Sequence, residues 1–191
     1  MNEETQNKEE TSVDSISNAQ ADLRKGYADG ALGVLASGMV WITAALVAFL
    51  VSSQTAIWTL FFGGMLIHPL GLLLAKLAGI QGSHSKRNPL GQLVMETTIF
   101  MLMCIPLALL LSLQNHAWFF QGMLLIIGGR YLTFSTLYGI KTYWLLGGLL
   151  GAASFALFFL KASPAVSALS GSIIEIGFGA FMFFAYKRSQ S

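Results

Sequence analysis

Six stretches of about 20 mostly apolar residues follow one another along the chain, and about 20 is the length an α-helix needs to cross a hydrocarbon core. They cover residues 31–51, 55–77, 89–113, 117–139, 143–160 and 165–186, separated by short polar connections. None alternates with the period of two that a membrane strand shows. Lipid offers no partner to an unpaired backbone group. The pattern therefore predicts an all-α, six-helix transmembrane bundle. The fourth stretch is the least apolar, because Arg130 interrupts it and the continuation YLTFSTLYG is only moderately hydrophobic.

Charge in the connections predicts an orientation. Arg24 and Lys25 precede the first stretch, and Lys76, Lys86 and Arg87 lie around the connection after the second. Lys141 follows the fourth, and Lys187 with Arg188 follows the sixth, whereas the alternate connections hold only Lys161. The positive-inside bias places the basic connections and both termini in the cytoplasm. Trp58 and Trp118 then fall near the outer interface, and Tyr143, Trp144 and Tyr186 near the inner one, as an aromatic belt would. Trp41 falls mid-span and reads as packing.

Composition agrees with this picture and adds one asymmetry. Of 191 residues 54% are hydrophobic and 10% charged, against about 25% charged in an ordinary soluble domain. Seven of the nine acidic residues lie in the first 29 positions. The net charge of +2 thus averages an acidic start with a basic-flanked body and points to no nucleic-acid partner. Residues 1–25 carry few large apolar side chains and read as a polar, acidic cytoplasmic tail, disordered or weakly helical. Residues 26–188 form the transmembrane domain. The single cysteine, Cys104, excludes an intrachain disulfide.

Five polar residues inside the apolar stretches are the candidate functional groups: His68, Gln92, Glu96, Arg130 and Glu175. A charged side chain at the centre of a membrane helix costs roughly 2.5–3.5 kcal/mol on insertion scales, so such residues pair, face the bundle interior or line a wet cavity. His68 immediately precedes Pro69, which frees the carbonyl of Met65. Gln92 lies one turn below Glu96 on the same face. Glu175 is centred in a stripe of Ala168, Gly171, Ser172 and Gly179, the kind of surface by which membrane helices pack closely. Arg130 cannot lose its charge; it either snorkels toward the cytoplasm or pairs with Glu96, Glu175 or a bound anion. His68, Glu96, Arg130 and Glu175 all fall between the midplane and the inner third, which predicts one polar cluster. Gln121 lies on the other side of its helix from Arg130, and Gly147 and Gly151 fit a packing face.

The segment LIHPLGLLLAKLAGI followed by NPLGQL, bracketing the basic loop, resembles a family of uncharacterised six-helix bacterial integral membrane proteins. The resemblance covers the first four stretches best. It implies a bacterial plasma-membrane location and carries over no activity and no site residue.

No phosphate-binding loop, zinc-protease motif, nucleophile elbow or acidic metal cluster is present, so no catalytic residue, metal site or cofactor is predicted. A small transporter or channel-like protein that uses the His/Glu/Arg cluster as a substrate or proton pathway is the leading reading. The alternatives are a non-catalytic membrane subunit or homo-oligomer with structural charges, and an intramembrane enzyme acting on lipid. Membrane lipids, an unidentified small solute or ion and a second copy of the chain are the expected partners.

Overall fold

The computed structural model describes residues 3–190, with side chains from residue 15 onward. Its regular elements are all helical: α1 (Glu3–Tyr27), a 3-10 turn (Ala28–Gly30), α2 (Ala31–Leu50), α3 (Ser53–Leu77), α4 (Leu90–Ser112), α5 (His116–Tyr138), α6 (Thr142–Phe159) and α7 (Pro164–Gln190). Helices α2 to α7 coincide closely with the six apolar stretches. The connections supply the caps: Ser52 Oγ accepts from Thr55 N at 3.1 Å, and Asn115 Oδ1 accepts from Ala117 N at 2.9 Å. Gly139 ends α5 in the left-handed conformation, φ 67°, that favours glycine. Pro69 and Pro106 lie inside α3 and α4 without ending them.

Among the described residues, five helical stretches are long and apolar enough to cross a membrane: Ser15–Leu50, Ser53–Leu77, Leu90–Ser112, Thr142–Phe159 and Pro164–Gln190. Helix α5, the fourth expected span, is not among them. Its position supplies the physical reason. It packs against α4 on one side and α6 on the other and touches α7 across the bundle. Phe119, Phe120, Gln121, Leu124, Ile127 and Tyr131 are all buried along it. A helix that faces protein rather than lipid has less need to be uniformly apolar.

Two layers result. Helix α2 lies between α3 and α7, and α5 lies between α4 and α6, with α7 joining the layers through contacts to α5 and α6. Glycines set the closest approaches. A Cβ on Gly128 of α5 would stand 2.8 Å from the carbonyl oxygen of Gly147 on α6. In contrast α3 and α4, consecutive in the chain, scarcely touch. The outer surface is mostly apolar, with Phe49, Leu77, Leu113 and Leu160 each more than three-quarters exposed (Leu50 slightly less), and His68, Gln92 and Glu96 are polar exceptions on α3 and α4. Tyr143 and Tyr186, expected at the inner interface as belt residues, are instead buried. The Tyr143 hydroxyl donates to the Asp29 carbonyl at 2.8 Å, a partner as good as the headgroup region offers.

The polar segment before the bundle is helix α1, and its last turns are docked. Ala19, Leu23 and Gly26 recur on one face and are buried, with Leu23 part of the main core. This face clamps the loop between α3 and α4. Asn88 Nδ2 donates to the Ala19 carbonyl and to Asp22 Oδ2, both at 2.8 Å, and Ser85 N donates to Asp22 Oδ2 at 3.0 Å. Gly82 N donates to the Gly26 carbonyl, and the Tyr27 hydroxyl meets His84 Nδ1 at 2.9 Å. Gln20 Nε2 reaches the Thr136 carbonyl near the end of α5. The bond from Asn88, then that from Ser85 N–H, hold the Asp22 carboxyl below its ordinary range. A depressed folded-state value means that this contribution is present at neutral pH and is lost as pH falls below about 3.9, the unperturbed value. Asp22→Ala is expected to speed backbone hydrogen exchange severalfold across residues 82–88 and to leave α2 and α7 protected. Unchanged exchange in that loop would show that the clamp does not order it.

Candidate functional site

Glu175 lies midway along α7 and is completely buried. The small-residue stripe explains how a carboxylate reaches the centre of the bundle. Gly171, Ser172 and Gly179 let α7 approach α2 so closely that Ser172 Oγ donates to the Gly38 carbonyl at 3.1 Å. A Cβ on Gly38 would stand 3.0 Å from Ile176 N, and one on Gly179 2.9 Å from Leu35 N. The packing role read for that stripe is thus the observed one, with Glu175 held inside it. The Tyr131 hydroxyl, from α5, donates to Glu175 Oε1 at 3.1 Å. Ser37 of α2, also buried, lies beside both groups. Oε2 has no hydrogen-bond partner.

Arg130 precedes Tyr131 and therefore points about 100° around α5 from it. Its Nη2 donates to Thr98 Oγ1 at 2.9 Å and its Nη1 to Met101 Sδ at 3.6 Å, both on α4. Its guanidinium carbon stands 5.1 Å from the Phe134 ring centroid, inside the range for a cation–π contact. Nε is buried without a partner. Arg130 and Glu175 are close enough for their charges to interact, but no hydrogen bond joins them: each is held by a neutral group instead.

Around this pair stands an aromatic group. Tyr143 stacks on Tyr131 (5.9 Å between centroids, 30° between planes) and on Tyr138 (5.5 Å, 19°), with Phe134 edge-on at 5.5 Å. Tyr131, Phe134 and Tyr138 recur at the i, i+3, i+7 spacing of one helix face. That spacing was the available signal for Tyr131, and the polar character of YLTFSTLYG obscured it.

The other expected residues stand elsewhere. Gln92 and Glu96 are exposed on α4, where Gln92 Nε2 donates to Glu96 Oε1 at 2.8 Å. Thr98 and Met101 turn toward α5 and Arg130, and Glu96, about 200° from Thr98 around the helix, turns away. His68 is exposed on α3. Similar height along the helices does not bring side chains together when their helical phases differ. Gln121, as its phase indicates, serves another contact: its side-chain Nε2 donates to Ser167 Oγ at 3.3 Å, and its backbone carbonyl accepts from Ser154 Oγ at 2.7 Å.

Four buried polar atoms lack a partner among the described residues: Trp41 Nε1, Gln121 Oε1, Arg130 Nε and Glu175 Oε2. Buried polar atoms are satisfied in the great majority of cases, so these four are exceptions within the bundle.

These features define an all-α bundle of helices suited to a membrane, with the Glu175 carboxyl, the one fully buried acid among the described residues, at its centre. The chain belongs to the family of unknown function DUF7010, whose model matches residues 16–185. The match begins within α1, so it takes in the docked turns of that helix as well as the bundle. No curated protein and no solved structure matches the chain.

Proposed function

We propose that this is a small, proton-coupled transporter or channel-like protein of the bacterial plasma membrane, with Glu175 as its coupling group. The observation that carries this reading is the Glu175 carboxyl: fully buried, bonded at Oε1 by Tyr131, with the Ser37 hydroxyl beside it and no group in bonding geometry at Oε2. A buried carboxyl with one oxygen free can hold a proton or release it to a polar substrate group. Buried intramembrane carboxyls are a recurring element of proton relays. Facing Glu175 from α5 are Tyr131 and, further off, Arg130; Ser37 faces it from α2, and Tyr143 of α6 stacks behind Tyr131. When the proton leaves, the negative charge stays on the Glu175 carboxylate, and the nearby Arg130 guanidinium, tethered to Thr98 and Met101, is the cation that balances it. The basic loop after α3 and the basic ends of α1 and α7 favour cytoplasmic termini.

The competing reading is a scaffold in which Glu175 and Ser172 only bind α7 to α5 and α2, and the close glycine packing favours it. Proton entry into proteoliposomes loaded with a pH-sensitive dye separates the two. An imposed acid gradient is expected to drive faster entry with the wild-type protein than with empty vesicles. Glu175→Gln is expected to return the rate to that of empty vesicles. Equal entry through wild type and variant would remove Glu175 from the pathway and leave the scaffold.

A further inference from the structure

The exposed face of α4 is broad and includes Met95, Phe100, Leu102 and Leu107, and one row within it at heptad spacing takes in both of its polar residues: Gln92, Glu96, Ile99, Met103, Pro106 and Leu110, separated by four, three, four, three and four positions. All six are exposed, and Ala108 is the only residue of α4 that is fully buried in the bundle. A seam of this period is what one helix presents to another along a left-handed crossing. In a lone copy it would face lipid and carry Gln92 and Glu96 with it. Glu96 is six positions into α4, about 9 Å from that end at 1.5 Å per residue, so its short side chain has far to reach for water.

We propose that the α4 seam is a homodimer interface, in which α4 of a second copy packs in parallel against it about a two-fold axis along the membrane normal. Such an axis places identical residues at identical depth, so the two Gln92–Glu96 pairs meet. The pair is self-complementary. Gln92 Nε2 uses one N–H on its own Glu96 and has a second to donate to the Glu96 of the other copy. Each carboxylate then accepts two amide N–H groups and neither is left in hydrocarbon. The apolar remainder of the seam, Ile99, Met103 and Leu110, interdigitates in the layers beyond. This inference requires α4 to span the membrane but does not depend on the coupling role of Glu175.

The test uses the full chain in lipid vesicles, with Cys104→Ser as background and one new cysteine at a time. Met103→Cys, on the seam, is expected to form a disulfide-linked dimer under mild oxidation. Leu102→Cys, also exposed but about 100° away, is expected to remain uncrosslinked. Adding Gln92→Leu with Glu96→Leu is expected to lower the Met103→Cys product about tenfold, roughly 1.4 kcal/mol for the loss of two symmetry-related interhelical hydrogen bonds. The otherwise unaltered chain, labelled at its C-terminus, is expected to bleach in two steps as single particles at low protein-to-lipid ratio. Single-step bleaching would overturn the proposal, leaving Glu96 to lipid headgroups. Equal cross-linking at positions 102 and 103 would overturn it as well.

Discussion

Gly171→Leu is expected to be the most damaging single substitution in the bundle, lowering its stability by about 3 kcal/mol, the upper end of ordinary overpacking. At Gly171 the Cβ alone would lie 2.8 Å from Leu124 Cδ2 and 2.9 and 3.0 Å from two atoms of the Trp41 ring. Trp41 cannot retreat. It is fully buried, and it packs against Phe120 at 6.4 Å between centroids. The leucine must therefore drive α7 away from α2, parting Ser172 from the Gly38 carbonyl and Glu175 from Tyr131. A graded series makes the cause visible: Gly171→Ala is expected to cost less than Gly171→Leu, while Gly177→Ala, where an added Cβ meets nothing within 4 Å, is expected to cost little. Thermal unfolding of the purified proteins in one detergent measures all three. A Gly171→Leu variant that melts with the wild type would mean that α2 and α7 do not meet at this point.

The second large effect separates stability from activity at Glu175. Glu175→Ala is expected to destabilise the protein by about 3 kcal/mol, because it strands the Tyr131 hydroxyl and leaves a cavity between α5 and α7. Glu175→Gln is expected to stay within about 1 kcal/mol of the wild type. Its carbonyl still accepts from Tyr131, its amide has the Ser37 oxygen beside it, and no carboxylate need be buried. The same glutamine is expected to lose proton entry. A residue whose neutral isostere is stable but inactive has been kept for its chemistry. Should Glu175→Gln melt far below the wild type while still passing protons, Glu175 would be a structural residue and its coupling role would fall.

Much of the fold was legible because hydrophobic length is a local property. A run of apolar residues about 20 long, bounded by Ser, Asn, Gly and Pro, needs no knowledge of its neighbours to form a helix. The expected limits of α2 to α6 accordingly stand within a few residues of those observed. Trp41 as a packing residue and the stripe around Glu175 were legible for the same reason, being periodic along a single helix. Helix α1 was harder to read because its apolar edge consists of only a few residues, Ala19, Leu23 and Gly26, among many polar ones. What docks it is a loop more than 50 residues away in sequence.

The polar residues divide along the same line. That Glu175 and Arg130 sit within helical, largely apolar segments is determined by the sequence alone, since composition and periodicity are carried by each segment. Which of the polar side chains meet was decided only by tertiary structure. Rotation of each helix about its axis is set by packing against its neighbours: Gly171 and Gly179 turn Glu175 inward toward Tyr131, and α5 takes up Thr98 and Met101 and so turns Glu96 outward. Depth along a helix follows from counting residues, but facing is a collective outcome of the whole bundle. This is why the buried Glu175 carboxyl found its tyrosine partner only in the folded chain.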